Sequence, residues 1–163
     1  MRVALYPCCN FDFDAPAQLL KPYVDKIIFC DVNRKVYRKY KEWVRESSKP
    51  TDISTEFECL DVRTLLTTCS RLSVFFYRRD SAGEGGSGIP VFGEEFLSLL
   101  MGKFDDYGYI ISDGSNSIGN LFRQMISAEG LKRFGFEFQL AVPQTLRETF
   151  ELYVIKVVRL ART

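Results

Sequence analysis

The sequence contains no histidine. That removes Ser-His-Asp and Cys-His catalysis, His-ligated zinc and a histidine general base. Any proton transfer falls to Asp, Glu, Lys, Tyr, Cys or water, and no metal site is expected. Excess charge of either sign is absent too: 22 Lys and Arg stand against 21 Asp and Glu, for a net charge of +1. No global field therefore draws the chain to nucleic acid or to a membrane. Apolar runs are too short to span a bilayer, so no membrane partner is expected. The opening "MRVALYP" lacks the apolar core and cleavage site of a signal peptide. The five cysteines, Cys8, Cys9, Cys30, Cys59 and Cys69, are odd in number and include no Cys-x-x-Cys pair. Adjacent cysteines bridge each other only with strain. They read as reduced thiols, mostly filling space as small apolar residues, in a cytoplasmic protein.

What is present is a globular composition, 46% hydrophobic, with 14 Phe and 8 Tyr in 163 residues. That length suits one domain, residues 1–163, large enough to bury a core. "RVALY" (2–6) reads as a short strand. "APAQLLKPYV" (15–24) reads as a short helix interrupted by Pro22. "KIIFCDV" (26–32) is a near-continuous apolar run, as in a strand buried on both faces of a parallel sheet. Over 33–48, Val36, Tyr37, Tyr40, Trp43 and Val44 recur at helical spacing, with Asp31 or Asn33 able to cap the helix. "TEFECLDV" (55–62) and "RLSVFFYRR" (71–79) are further strands on either side of the short helix or turn "RTLLTTCS". A glycine-rich loop (80–90), a helix (91–104), a strand (107–113) and an amphipathic helix (117–133) follow.

The ending departs from this alternation. "FGFEFQLAV" (134–142) and "TFELYVIKVVRL" (149–160) are both strands, and only "PQTLRE" lies between them. Six residues are too few for a helical crossover, so the pair should be antiparallel. The expected fold is a three-layer α/β/α sandwich. Its doubly wound, mostly parallel seven-stranded sheet carries a C-terminal antiparallel hairpin.

This order of elements, from about residue 2 to 160, resembles the class I S-adenosylmethionine-dependent methyltransferases, whose Rossmann-like sheet ends in a reversed hairpin. The resemblance lies in element order and a few positions rather than in an unbroken motif. It implies that the turn after the first strand, here Tyr6, Pro7, Cys8, Cys9 and Asn10, holds the amino-acid part of the cofactor. It implies that Asp31, at the end of the second strand, accepts hydrogen bonds from the ribose diol with Val32 beside it. Asp61 would face the adenine, and Val62 would lie against the ring. Tyr77, Arg78 and Asp80 would stand at the end of the fourth strand, nearest the acceptor. No catalytic residue is assigned.

One departure from the family is plain: the first turn contains no glycine. Glycine there permits φ > 0 and lets a ligand approach the backbone. Asn10 tolerates the left-handed region better than most residues. Asp12 and Asp14 either bind the cofactor's ammonium or belong to the loop, with Asp14 favoured as the cap of the first helix. Asp31 and Asp61 each have the alternative role of helix cap. Two readings follow: a methyltransferase-like protein using S-adenosylmethionine on an unidentified acceptor, or a non-catalytic Rossmann-like binding or interaction module that has lost the cofactor.

Three further features read as structural. "GEGGSG" (83–88) lacks the lysine of a phosphate-binding loop and reads as a mobile cover over the site or a plain connector. "SDGSN" (112–116) has good turn chemistry. The basic helix 33–48 can hold nucleic acid, but a solvated helix face is the favoured reading.

Overall fold

A computed structural model describes residues 1–46, 52–78, 93–112, 131–139, 143–149 and 153–161. Within them the elements run β1 (Val3–Pro7), α1 (Asp14–Leu20), β2 (Lys26–Cys30), α2 (Arg34–Arg45), β3 (Ser54–Glu58), α3 (Val62–Thr68), β4 (Leu72–Tyr77), α4 (Glu94–Met101), β5 (Phe104–Ser112), β6 (Phe136–Gln139), α5 (Gln144–Thr149) and β7 (Tyr153–Arg159). Most of the expected helix 117–133, the 80–90 loop, Arg79, Asp80, Asp113 and Asn116 lie outside the described residues.

All seven strands join one sheet, in the order β3-β2-β1-β4-β5-β7-β6. β1 pairs in parallel with β2 and β4, β2 with β3, and β4 with β5. β7 is the one reversed strand. It runs antiparallel to β5 over six residue pairs and to β6 over four. The expected mixed sheet with an antiparallel ending is therefore what the chain forms.

Two differences concern local chemistry. The link between β6 and β7 is not a plain loop: Gln144–Thr149 winds into α5, with Leu146 buried under it. Asp14 does not cap α1. The cap position is Phe13, and Asp14 is the first helical residue, where a carboxylate is favourable to the helix dipole. Pro22 ends that helix as expected: Leu20 is its last residue.

The central strands are buried on both faces, which is why β1, β2 and β4 read as near-continuous apolar runs. Side chains alternate between two cores. On one face Leu5, Ile28, Phe75 and Ile110 meet α3 and α4 through Leu66, Leu100 and Met101. On the other, Tyr6, Phe29 and Phe76 meet α1, α2 and α5 through Leu20, Trp43 and Leu146. The second core is largely aromatic. Phe13, Phe29, Tyr40 and Trp43 sit at centroid distances of 5.4–6.0 Å, in tilted and edge-on contacts. Phe13 belongs to the loop after β1, so this cluster anchors that loop over the sheet.

Candidate site at the carboxyl ends of the first strands

Parallel strands β1, β2, β3 and β4 all end at one rim of the sheet, which brings together the turns after β1, β2 and β3 and, past the end of β4, Arg78. After β1 the chain turns sharply. Cys8 and Asn10 both take left-handed backbone conformations, with φ of 52° and 48°. For asparagine that is common; for cysteine it is costly, of order 1–3 kcal/mol. The turn is fixed by its neighbours. Cys9 N–H donates to the Cys30 carbonyl at 3.3 Å, Asp12 N–H to the Cys9 carbonyl at 3.0 Å, and Asn10 N–H to Asp31 Oδ2 at 3.1 Å. A pocket of about 240 Å³ lies against this turn, lined by Cys8, Cys9, Asn10, Phe11 and Asp12.

Asp31 sits just past β2. Its Oδ2 accepts from Asn10 and its Oδ1 accepts from Asn33 N–H at 2.8 Å. The helix cap itself is Asn33, whose side chain accepts from Lys35 N–H at 2.9 Å. Asp31 thus joins the β1 turn to the start of α2, and each oxygen retains a further lone pair for a donor from outside. Next to it Val32 is 67% exposed, and Leu60, just past β3, is 41% exposed. Cys59 Sγ lies 3.8 Å from the Val32 carbonyl, tying the two strand ends together. Sequence reasoning did not single out Leu60. Its signal, an apolar residue directly after a strand end, is weak without the neighbouring turn in view.

Asp61 is the cap of α3. Oδ1 accepts from Arg63 N–H at 2.8 Å and from Arg63 Nε at 2.9 Å, and Oδ2 accepts from Arg63 Nη2 at 2.6 Å. Those bonds from Arg63 hold its carboxyl below the usual carboxylate range. Val62, expected beside an adenine, is buried at 2% exposure in the core under α3. The rings of Tyr6 and Tyr77 are also buried, at 0% and 1%, and Pro7 is buried at the end of β1.

A cluster that no local pattern announces joins β1 and β4. Arg78 Nε lies 2.9 Å from Asp12 Oδ2, with the two side chains only 10% and 13% exposed. The N–H is not aimed along that line, so the pair is a charge contact rather than an aligned hydrogen bond. Tyr6 hydroxyl donates to the same carboxylate oxygen at 2.9 Å. Burial, with the Asp12 charge beside it, pushes the Tyr6 phenol up, so it stays a neutral donor. The sequence alone leaves Asp12 either in the loop or on an ammonium. Instead the protein's own guanidinium and phenol engage it.

The buried thiols of Cys9 and Cys30 are not poised as nucleophiles. Burial pushes the thiols of Cys9 and Cys30 well up, with the Asp31 charge adding to both. A thiol held protonated is a weak nucleophile and a poor metal ligand. Among the described residues no group of three or more acids and cysteines is arranged to hold a metal ion, and no helix is long and apolar enough to cross a membrane.

No family model and no curated protein matches this sequence. Solved structures do match in fold. A putative methyltransferase from Streptococcus mutans, in complex with SAH, superposes with a TM-score of 0.61 at 12% identity. The match covers 98% of this chain and 89% of that one. An rRNA methylase from Streptococcus thermophilus gives 0.59 at 10% identity, covering 98% and 88%. A spermidine synthase from Thermotoga maritima gives 0.53 at 16% identity, covering 98% and 54%. The chain thus has the fold of class I S-adenosylmethionine-dependent methyltransferases. The same fold also carries a synthase, so the likeness speaks to architecture and not to reaction.

Proposed function

We propose that this chain is a methyltransferase-like protein that binds the nucleoside part of S-adenosylmethionine over the ends of β1, β2 and β3. The observation that carries this reading is Asp31, a carboxylate at the end of β2 beside a pocketed, left-handed β1 turn. On this reading Asp31 accepts the ribose hydroxyls, and Val32 and Leu60 give the adenine an apolar ledge. Asp61 lies at its edge, and Cys8, Cys9 and Asn10 line the route to the methionine end. When bound, the cofactor supplies a methyl group on a sulfonium for in-line displacement. The chain's own residues then orient it and keep water away, which needs no histidine.

A second reading is favoured by one observation. The acidic group nearest the methionine end, Asp12, already contacts Arg78 and Tyr6, and the turn carries side chains where the family has glycine. A non-catalytic nucleoside-binding module on the same fold would look like this.

Calorimetry with S-adenosylhomocysteine and with adenosine separates the two. Tighter binding of S-adenosylhomocysteine favours the methyltransferase-like reading, and equal binding of both favours the module. No heat from either at about millimolar ligand, an affinity near −4 kcal/mol, would sink both. Asp31→Ala should weaken binding by more than about tenfold, the loss of one charge-assisted pair. An unchanged affinity would mean that the ribose is held elsewhere.

A further inference from the structure

The charge of this chain is balanced overall but not locally. The twelve residues of α2 carry Arg34, Lys35, Arg38, Lys39, Lys41 and Arg45 against a single acid, Glu42. All six cations are exposed. At 3.6 residues per turn they fall within one arc of about 160° around the helix. Lys39 is bound to Glu42 at 2.6 Å. Among the described residues, Lys35 and Arg38 have no carboxylate partner.

A charged helix face alone would be ordinary solvated surface. What sets this one apart is Phe11. It comes from the β1 turn, is 57% exposed, and forms a pocket of about 320 Å³ with Lys35, Arg38, Lys39 and Glu42. Phe13, two residues on, is locked into the aromatic core against Tyr40 and Trp43 of α2, which anchors the backbone that carries Phe11 at this edge. An exposed phenyl ring does nothing for a bare phosphate. A membrane surface would call for several apolar residues on the same face, whereas the exposed apolar residues of α2, Tyr37 and Val44, lie outside the cationic arc. A flat aromatic ring flanked by spaced cations is suited to a base with phosphates on either side.

We infer that Phe11 and the basic face of α2 form a docking surface for single-stranded nucleic acid. Phe11 stacks on a base, and Lys35 and Arg38, with Arg34 and Lys39 alongside, hold the flanking phosphates. The inference does not rest on the cofactor reading, and the assay contains no cofactor.

The test is fluorescence anisotropy of the full chain with a labelled oligouridylate of about 12 nucleotides, across about 50 to 200 mM salt. Binding should weaken as salt rises. Phe11→Ala should weaken it about tenfold with little change in the salt slope, and Phe11→Trp should restore it. Lys35→Glu with Arg38→Glu should weaken it at least tenfold and flatten the slope by about one to two. These side chains are exposed, and unchanged thermal melts will show that the variants fold. The inference is overturned if no oligonucleotide binds at low salt. It is equally overturned if Phe11→Ala changes nothing while inorganic polyphosphate binds as well, or if phosphatidylserine vesicles bind and the oligonucleotide does not.

Discussion

Arg78 and Asp12 show most clearly how much one residue can matter in this chain. Two buried charges 2.9 Å apart, with Tyr6 donating to the same carboxylate, are tolerable only as a set. Taking the guanidinium away removes a cation 2.9 Å from a carboxylate that is 13% exposed, and breaking such a buried pair typically costs about 3–5 kcal/mol. Arg78→Met should therefore lower stability by about that much in urea denaturation. Asp12→Asn combined with Arg78→Met should recover more than half of the loss, because it removes the carboxylate charge as well. Additive losses would mean that the two side chains act separately. Neither residue could be paired from the sequence. They are 66 positions apart in the numbering, and only the adjacency of β1 and β4 and the fold-back of the β1 turn bring them together. The same holds for Cys8. Nothing in its identity predicts a left-handed φ, whereas for Asn10 the tendency was readable.

Single elements were more legible, because their signals are local. Asn33 and Asp61 precede helical spacing by the right interval, and both cap helices. Asp61 also has a measurable titration. Its folded carboxyl lies below its ordinary value because of its bonds from Arg63. A depressed acid stabilises the fold fully above the unfolded value and loses that contribution as pH falls through the lower, folded one. Asp61→Ala should accordingly cost about 1 kcal/mol near neutrality. Below the folded pKa, which lies under the ordinary carboxylate value, the gap to the parent protein should narrow. Denaturation at several pH values checks this, and a gap that stays constant into strong acid would assign the effect to something other than the carboxylate. At this scale tertiary context also decides what local spacing leaves open. Val62 follows a strand end much as Val32 does, yet α3 carries Val62 into the core while Val32 stays exposed. Likewise the sequence leaves only residues 143–148 between its last two strands, whereas β6 ends at Gln139 and β7 starts at Tyr153, a longer link that holds α5.

At the scale of the molecule, the alternation of strands and helices and the reversed ending were readable, but the neighbours of β7 were not. β7 enters between β5 and β6, bonded to both, and its Val157 is fully buried. Two of the sheet's pairings therefore depend on one strand. A chain ending at residue 150 should lose cooperative thermal unfolding rather than merely soften at one edge. A sharp transition in circular dichroism from such a truncated chain would contradict this. The placement of β7 also has a consequence in time. During synthesis the ribosome delivers the strands in numerical order, at about 5–20 residues per second. β1 through β5 can find partners as they emerge, but β6 comes out with its place beside β7 still unmade. For those seconds it is an unpaired strand next to an open edge at β5, the state in which a nascent chain is most prone to join a neighbour or recruit a chaperone.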